Sequence, residues 1–203
     1  MVDVLVVCTA NVARSPLFAA RLQLEADRRL GPGTIEVASA GVHAMFGARA
    51  ASGARTVAAR WQCPLEEHHA IPITHYHLAG VQLVLTMEAA HKRDLLGREG
   101  SLASRIFTMR EFVTIVAKSI DLPLIEEAAG AGAAGAHARL QGVVALADAR
   151  RPRRLARRSR DVPDPIGQGQ ATYDELGEQF EAAAAVLAPA LFGPASPACK
   201  HQP

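Results

Sequence analysis

Val7-Cys8-Thr9-Ala10-Asn11-Val12-Ala13-Arg14-Ser15-Pro16 joins an apolar strand to a helix start and sets a cysteine six residues before an arginine. Residues Val2 to Val7 are short, β-branched and almost wholly apolar, the pattern of a buried strand. Ser15 then reads as an N-cap and Pro16 as the favoured first helical position, so the helix begins as the loop closes. A thiol in that turn faces free backbone N–H groups and the positive end of a helix dipole. Such a setting favours an anionic sulfur and binds a tetrahedral oxyanion equally well. Arg14 returns to the same cup with a planar guanidinium that forks two oxygens. A nucleophile and an anion cradle thus come from one loop.

Downstream, Phe18, Leu22, Ala26 and Leu30 recur at four-residue spacing, which predicts a helix from Pro16 to about Leu30, stopped by Gly31-Pro32-Gly33. Thr34 to Ala38 reads as a second strand, closed by Ser39-Ala40-Gly41. A helix is expected between about Ala50 and Gln62, weakened by Gly53. Val81 to Met87 reads as a third strand, Glu88 to Leu96 as a short helix, and Arg105 to Met109 as a fourth strand. This alternation predicts an α/β fold: three α/β/α layers around a four-stranded parallel sheet, with the loop after the first strand at its carboxyl edge.

The remainder has a different texture. Glu111 to Ile120 is helical in pattern, Asp121-Leu122-Pro123 restarts a helix, and Ala128 to Ala138 is Ala/Gly-rich. An apolar helix follows to about Ala147, then an arginine cluster, Arg150-Arg151-Pro152-Arg153-Arg154 and Arg157-Arg158-Ser159-Arg160. Thr172-Tyr173-Asp174-Glu175 reads as a capping box for a last helix that turns Leu176, Phe180, Leu187 and Leu191 inward. The expected organisation is one domain over 1–192, with a helical, Ala/Gly- and Arg-rich insertion at about 111–160 and a flexible tail over 193–203.

The 203 residues carry a formal net charge of +2, too small to single out a partner, and no nucleic acid is expected. No apolar run approaches a membrane span, and the first residues lack a signal-peptide pattern. Cys8, Cys63 and Cys199 make no disulfide framework, and an active thiolate needs reducing conditions, so the cytoplasm is the expected compartment. The pairs His68-His69 and His75/His77 fit no defined metal spacing, so no metal and no cofactor is expected. The basic Arg150 to Arg160 segment is expected as a solvated rim that can contact acidic substrates.

Asp161-Val162-Pro163-Asp164-Pro165-Ile166-Gly167 is a loop stiffened by prolines that holds a carboxyl at the surface. By composition alone Asp164 is a turn residue.

The string Cys-Thr-x-Asn-x-x-Arg-Ser-Pro at the end of the first strand closely resembles the low-molecular-weight protein tyrosine phosphatases. That resemblance implies phosphomonoester hydrolysis through a phosphocysteine, with Cys8 as nucleophile and Asp164, in an Asp-Pro loop before the last helix, as general acid. Arg14 and the loop Thr9, Ala10, Asn11, Val12, Ala13 and Ser15 then bind the phosphate. Ser39 of Ser39-Ala40-Gly41 matches a serine that supports the loop through Asn11, and His68 matches a histidine of the same network. Met87-Glu88 fits the family's methionine followed by an acid. Asp161 matches no catalytic position and is expected as a turn or rim residue.

The departures are equally specific. Ala10 stands where the family usually has Gly, so the loop must adopt its turn without glycine's freedom. Ala13 replaces a second loop cysteine, so oxidation of Cys8 is expected to run on to irreversible forms unless Cys63 stands near. Met45 and Ile166 replace aromatic residues, leaving Met45, Phe46 and Ile166 as an apolar substrate rim. Related arsenate reductases use two further cysteines after the third strand, absent here. Related arginine phosphatases tend to carry Thr in place of Val12, so an aryl or alkyl phosphate, as a phosphorylated protein or a small molecule, is the expected substrate. A non-catalytic phosphate-binding scaffold is the competing reading; it needs neither nucleophile nor acid.

Overall fold

A computed structural model of the chain describes residues 2–119, 125, 132–151 and 161–194. Four strands, β1 (Val4–Cys8), β2 (Val37–Gly41), β3 (Leu83–Thr86) and β4 (Ile106–Thr108), form one parallel sheet in the order β2-β1-β3-β4. Six α-helices are described: α1 (Arg14–Leu30), α2 (Ser52–Arg60), α3 (Ala89–Arg98), α4 (Met109–Ser119), α5 (Gly132–Ala149) and α6 (Gln170–Phe192). This is the three-layer α/β architecture expected from the alternation of patterns.

β1 is one of the two interior strands, and its five residues are all buried. The two-residue period of a strand divides them. Val4, Val6 and Cys8 enter the larger core with Leu17, Phe18 and Leu22 of α1, Phe112 of α4, Leu140 and Val143 of α5 and Phe180 of α6. Leu5 and Val7 enter a thinner core with Val84, Leu95, Leu102 and Ile106. A parallel sheet covered on both faces has to be apolar throughout, which explains the absence of polar alternation in β1.

Glycines set the helix spacing at two places. A Cβ on Gly53 of α2 would lie 2.4 Å from the Tyr173 ring of α6, and one on Gly177 would lie 2.7 Å from Val57 Cγ1. Gly53 is therefore a contact residue that lets α2 close on α6.

Several local expectations are corrected. The first strand runs Val4–Cys8 and the second Val37–Gly41, so Ser39-Ala40-Gly41 lies inside a strand, with Gly41 paired to Cys8. Ser15 is not a cap. α1 starts at Arg14 after Ala13, with no side-chain capping bond, because the Ser15 hydroxyl is turned into the loop. The Thr172–Glu175 capping box is also absent: α6 begins at Gln170 after Gly169, and Asp174 instead accepts from Gln170 Nε2 at 2.8 Å. A reciprocal box occurs at α4, where Glu111 N donates to Thr108 Oγ1 and Thr108 N to Glu111 Oε2.

Arg151, from the basic cluster, is committed to the fold. Its guanidinium lies 3.8 Å from the Phe107 ring centroid, donates to Ala103 O and Ile106 O at 2.9 Å each, and pairs with Asp148. It is not a free rim charge. Residues 152–160, the Asp121-Leu122-Pro123 restart, residues 128–131 of the Ala/Gly-rich run, Cys199 and the tail beyond 194 lie outside the described residues, while the rest of that run opens α5. Among the described residues no helix is long and apolar enough to cross a membrane.

Candidate active site

The loop from Cys8 to Arg14 is pinned from every side. Cys8 O and Thr9 O accept from Val42 N and His43 N at 3.0 and 2.9 Å, which fastens the loop to the segment after β2. Val12 O accepts from Ala51 N at 2.7 Å, ahead of α2. A Cβ on Gly41 would come within 2.6 Å of Thr9 O and 2.9 Å of Asn11 N, so this close approach requires glycine.

Asn11 is the internal brace. It is fully buried, with φ of 56°, the left-handed region that Asn tolerates better than most residues. Its Nδ2 donates to Ser15 Oγ at 3.0 Å and Ser39 Oγ at 2.8 Å, and its Oδ1 accepts from Ile71 N at 2.8 Å. His68 Nε2 lies 2.8 Å from Asn11 O. Burial pushes His68 below the ordinary histidine range, against the pull of the Asn11 carbonyl, with His69 adding to the depression. The neutral ring then donates to Asn11 O.

Cys8 Sγ is buried at the floor of this loop. Asn11 N donates to it at 3.3 Å, and Ser15 Oγ stands 3.0 Å away. The Asn11 N–H is a donor suited to an anionic sulfur, and the Ser15 hydroxyl has one proton to give either to the sulfur or to Ala40 O at 3.2 Å. Among the described residues no acceptor is paired with the N–H groups of Ala10, Val12 or Ala13, which leaves donors for an oxyanion.

Arg14 is only 2% exposed, yet it gathers three separate parts of the chain. Nη1 pairs with Glu88 Oε1 at 2.6 Å and donates to Val162 O at 2.9 Å. Nη2 pairs with Asp164 Oδ2 at 2.6 Å and donates weakly to Thr9 Oγ1 at 3.4 Å. The acid loop reaches this position because Val162 N donates to Met87 O at 2.8 Å, and Asp161 Oδ1 accepts from Ala89 N, the first residue of α3, at 2.8 Å. Asp161, expected as a turn or rim residue, therefore caps α3 and moors the loop.

Guanidinium and carboxyl thus meet, from α1 and the loop before α6, at the end of the loop that begins with the thiol. The chain matches the model of the family described as low molecular weight phosphotyrosine protein phosphatase over residues 3–129. It belongs to that family. It is 34% identical over 108 residues to a probable low molecular weight protein-tyrosine-phosphatase, EpsP, of Ralstonia solanacearum, covering 53% of this chain and 70% of the relative. It is 32% identical over 113 residues to a protein-arginine-phosphatase of Bacillus subtilis, covering 55% and 73%. The solution structure of a low molecular weight protein tyrosine phosphatase from Bacillus subtilis superposes with a TM-score of 0.64 at 25% identity, covering 93% of this chain and 96% of that one. The chain is accordingly a cysteine-dependent phosphatase, a hydrolase.

In this member of the low molecular weight phosphatase family the loop turns without glycine at position 10, and the three expected rim residues lie open to solvent. Asn11, not Ala10, takes the left-handed conformation, so alanine at position 10 is not called on for glycine's freedom. Met45 and Phe46 are 80% and 70% exposed and Ile166 48%, three apolar side chains open to solvent. Phe46 stacks on His75, with ring centroids 5.2 Å apart and planes 7° apart, an aromatic pair that spacing alone does not announce. Cys63 is held to Ala58 O at 3.7 Å, and burial pushes its thiol up against the opposing pull of Arg21 and Arg28.

Glu88 on Arg14, Asp161 on α3, and His91, whose Nε2 lies 2.9 Å from Thr9 Oγ1, are the residues that sequence reasoning missed as partners of the site. Only Glu88 carried a sequence signal, as the acid after Met87.

Proposed function

We propose that the chain hydrolyses aryl phosphates, phosphotyrosyl proteins foremost, through a phosphocysteine on Cys8. The observation that carries this reading is the Arg14–Asp164 pair at 2.6 Å, with Arg14 at the end of the loop that holds Cys8 and its free N–H donors. Cys8 thiolate attacks phosphorus in line while the P–O bond to the leaving group breaks. Loop N–H groups from Thr9 to Arg14 and the Arg14 guanidinium hold the equatorial oxygens, the contribution that dominates phosphoryl transfer. The incoming phosphate competes with Asp164 for Arg14, and the displaced carboxyl, protonated, delivers its proton to the leaving oxygen. Asp164 then takes a proton from the water that attacks phosphocysteine, and Ser15 Oγ, 3.0 Å from sulfur, eases thiolate departure.

Met45, Phe46 and Ile166 are the proposed apolar walls for the substrate ring, with the Phe46–His75 stack the flattest surface among them. Val12 brings hydrocarbon to the loop and gives a guanidinium nitrogen no hydrogen-bond partner, which favours an aryl ester over phosphoarginine. Arginines 153, 154, 157 and 158 supply a positive field for acidic phosphoproteins, read as a salt-dependent KM. A thiolate nucleophile places the enzyme in a reducing compartment, the cytoplasm.

Matched phosphotyrosyl and phosphoarginyl peptides test the substrate class. Higher kcat/KM on phosphotyrosine supports the aryl reading. Preference for phosphoarginine assigns the chain to the chemistry of its Bacillus subtilis relative. Phosphate binding without turnover of either leaves a scaffold.

A further inference from the structure

His91 lies in α3, outside the loop, and is only 4% exposed. Its Nε2 is 2.9 Å from Thr9 Oγ1 and 3.8 Å from Glu88 Oε1. Its Nδ1 is shut off from solvent and has no hydrogen-bond partner among the described residues. The same Thr9 oxygen accepts from Arg14 Nη2 at 3.4 Å, and a guanidinium can only donate.

These contacts choose the tautomer. A neutral imidazole carries one N–H. With the proton on Nδ1, a buried donor would be orphaned, the costlier kind of unpaired group. With it on Nε2, the N–H meets Thr9 Oγ1, faces the Glu88 carboxylate, and leaves only a bare lone pair at Nδ1. Burial holds the ring below the ordinary histidine range, with Arg14 pushing it down and Glu88, Asp161 and Asp164 pulling it up. The ring is therefore neutral at pH 7.

We infer that His91 is a positioning residue for phosphate binding: its Nε2–H and Arg14 Nη2 fill both lone pairs of Thr9 Oγ1, so the Thr9 hydroxyl proton is released as a further donor to a phosphoryl oxygen in the loop. Thr9 then contributes a side-chain hydrogen bond besides its backbone N–H. The inference rests on the phosphatase reading and gives α3 a route to organise the loop besides the ion pair of Glu88, the residue that precedes it.

Geometry supplies a discriminating pair of substitutions. The amide nitrogen of glutamine reaches the level of histidine Nε2, whereas that of asparagine reaches only the level of Nδ1. His91→Gln should therefore keep the bond to Thr9, and His91→Asn should lose it. Inorganic phosphate affinity by calorimetry and kcat/KM on an aryl phosphate are measured for wild type, Thr9→Val, His91→Leu, His91→Gln, His91→Asn and the Thr9→Val/His91→Leu double variant, with folding checked by near-UV dichroism.

Thr9→Val and His91→Leu should each weaken phosphate binding about fivefold, the worth of one hydrogen bond. The double variant should be no weaker than Thr9→Val alone, since both remove the same bond. His91→Gln should restore most of the affinity and His91→Asn should not. Additive effects of the two single changes, equal rescue by Asn and Gln, or unchanged affinity in Thr9→Val would overturn the inference. If His91→Leu does not fold, the Thr9→Val and Gln/Asn comparisons still decide. A wild-type protein that neither binds phosphate nor turns over substrate sinks the phosphatase reading instead.

Discussion

Arg14 Nη2 and Asp164 Oδ2 stand 2.6 Å apart although 150 residues of chain separate them. In the proposed mechanism this carboxyl is latched to the group that takes the phosphate. Phosphate binding and release of the acid are therefore one event: a dianion that takes the guanidinium frees the carboxyl for proton transfer.

Asp164→Asn weakens that latch and removes the acid together. It should bind inorganic phosphate several-fold more tightly than wild type while turning over poor leaving groups roughly 10²-fold more slowly. Good leaving groups need little protonation and should lose much less rate. A uniform loss across leaving groups would remove Asp164 as the acid.

Asn11→Ala should be costly to both fold and function. The change deletes three side-chain hydrogen bonds and leaves a Cβ residue in the left-handed region, worth about 2–4 kcal/mol together. With the loop unbraced, kcat should fall roughly tenfold or more at temperatures where the variant is still folded. Wild-type activity and an unchanged Tm would show that the brace is dispensable.

Two glycine substitutions should act with opposite signs. Gly53→Ala drives a methyl into the Tyr173 ring and should destabilise by about 1–3 kcal/mol. Gly142→Ala lies within α5 with nothing within 4 Å of the added carbon, and should stabilise by about 0.5–1 kcal/mol. Urea midpoints compare the two directly; stabilisation by Gly53→Ala would contradict the packing of α2 on α6.

Half-buried His68 and buried His91, both held neutral, make stability depend on pH. His68 is held below its unfolded value, so the unfolded chain binds more protons than the folded one on descending from neutrality. Its contribution is fully present above about pH 6.5 and is lost as pH falls through the lower folded value. Unfolding free energy should thus decline as pH falls below about 6.5, with His91 acting in the same direction. His68→Gln should be less stable at pH 7 and show a shallower decline. A decline of the same steepness in the variant would exclude this role for His68.

What was legible in the sequence follows from how locally each feature is encoded. The unbroken apolar run of β1 and the four-residue spacing in α1 announce burial without reference to the rest of the chain. The Cys8–Arg14 loop is equally local, since one turn supplies nucleophile, donors and guanidinium. Capping was misread where a hydroxyl had a better partner: Ser15 serves Cys8 and Asn11, and α6 starts ahead of Thr172. The pattern Thr108-x-x-Glu111 carried a capping signal that went unread. Glu88, Asp161 and His91 join the site through contacts that only the order of strands creates, and no periodicity marks them.

Phosphocysteine trapping tests the central claim most directly. Wild type is mixed with an aryl phosphate, quenched in acid within the first turnovers, and its Cys8 peptide weighed. A phosphate increment on that peptide, matched by a phenol burst and absent in Cys8→Ser along with turnover, is the predicted result. Phenol release that survives Cys8→Ser, or steady turnover with no phosphate ever found on Cys8, would contradict it.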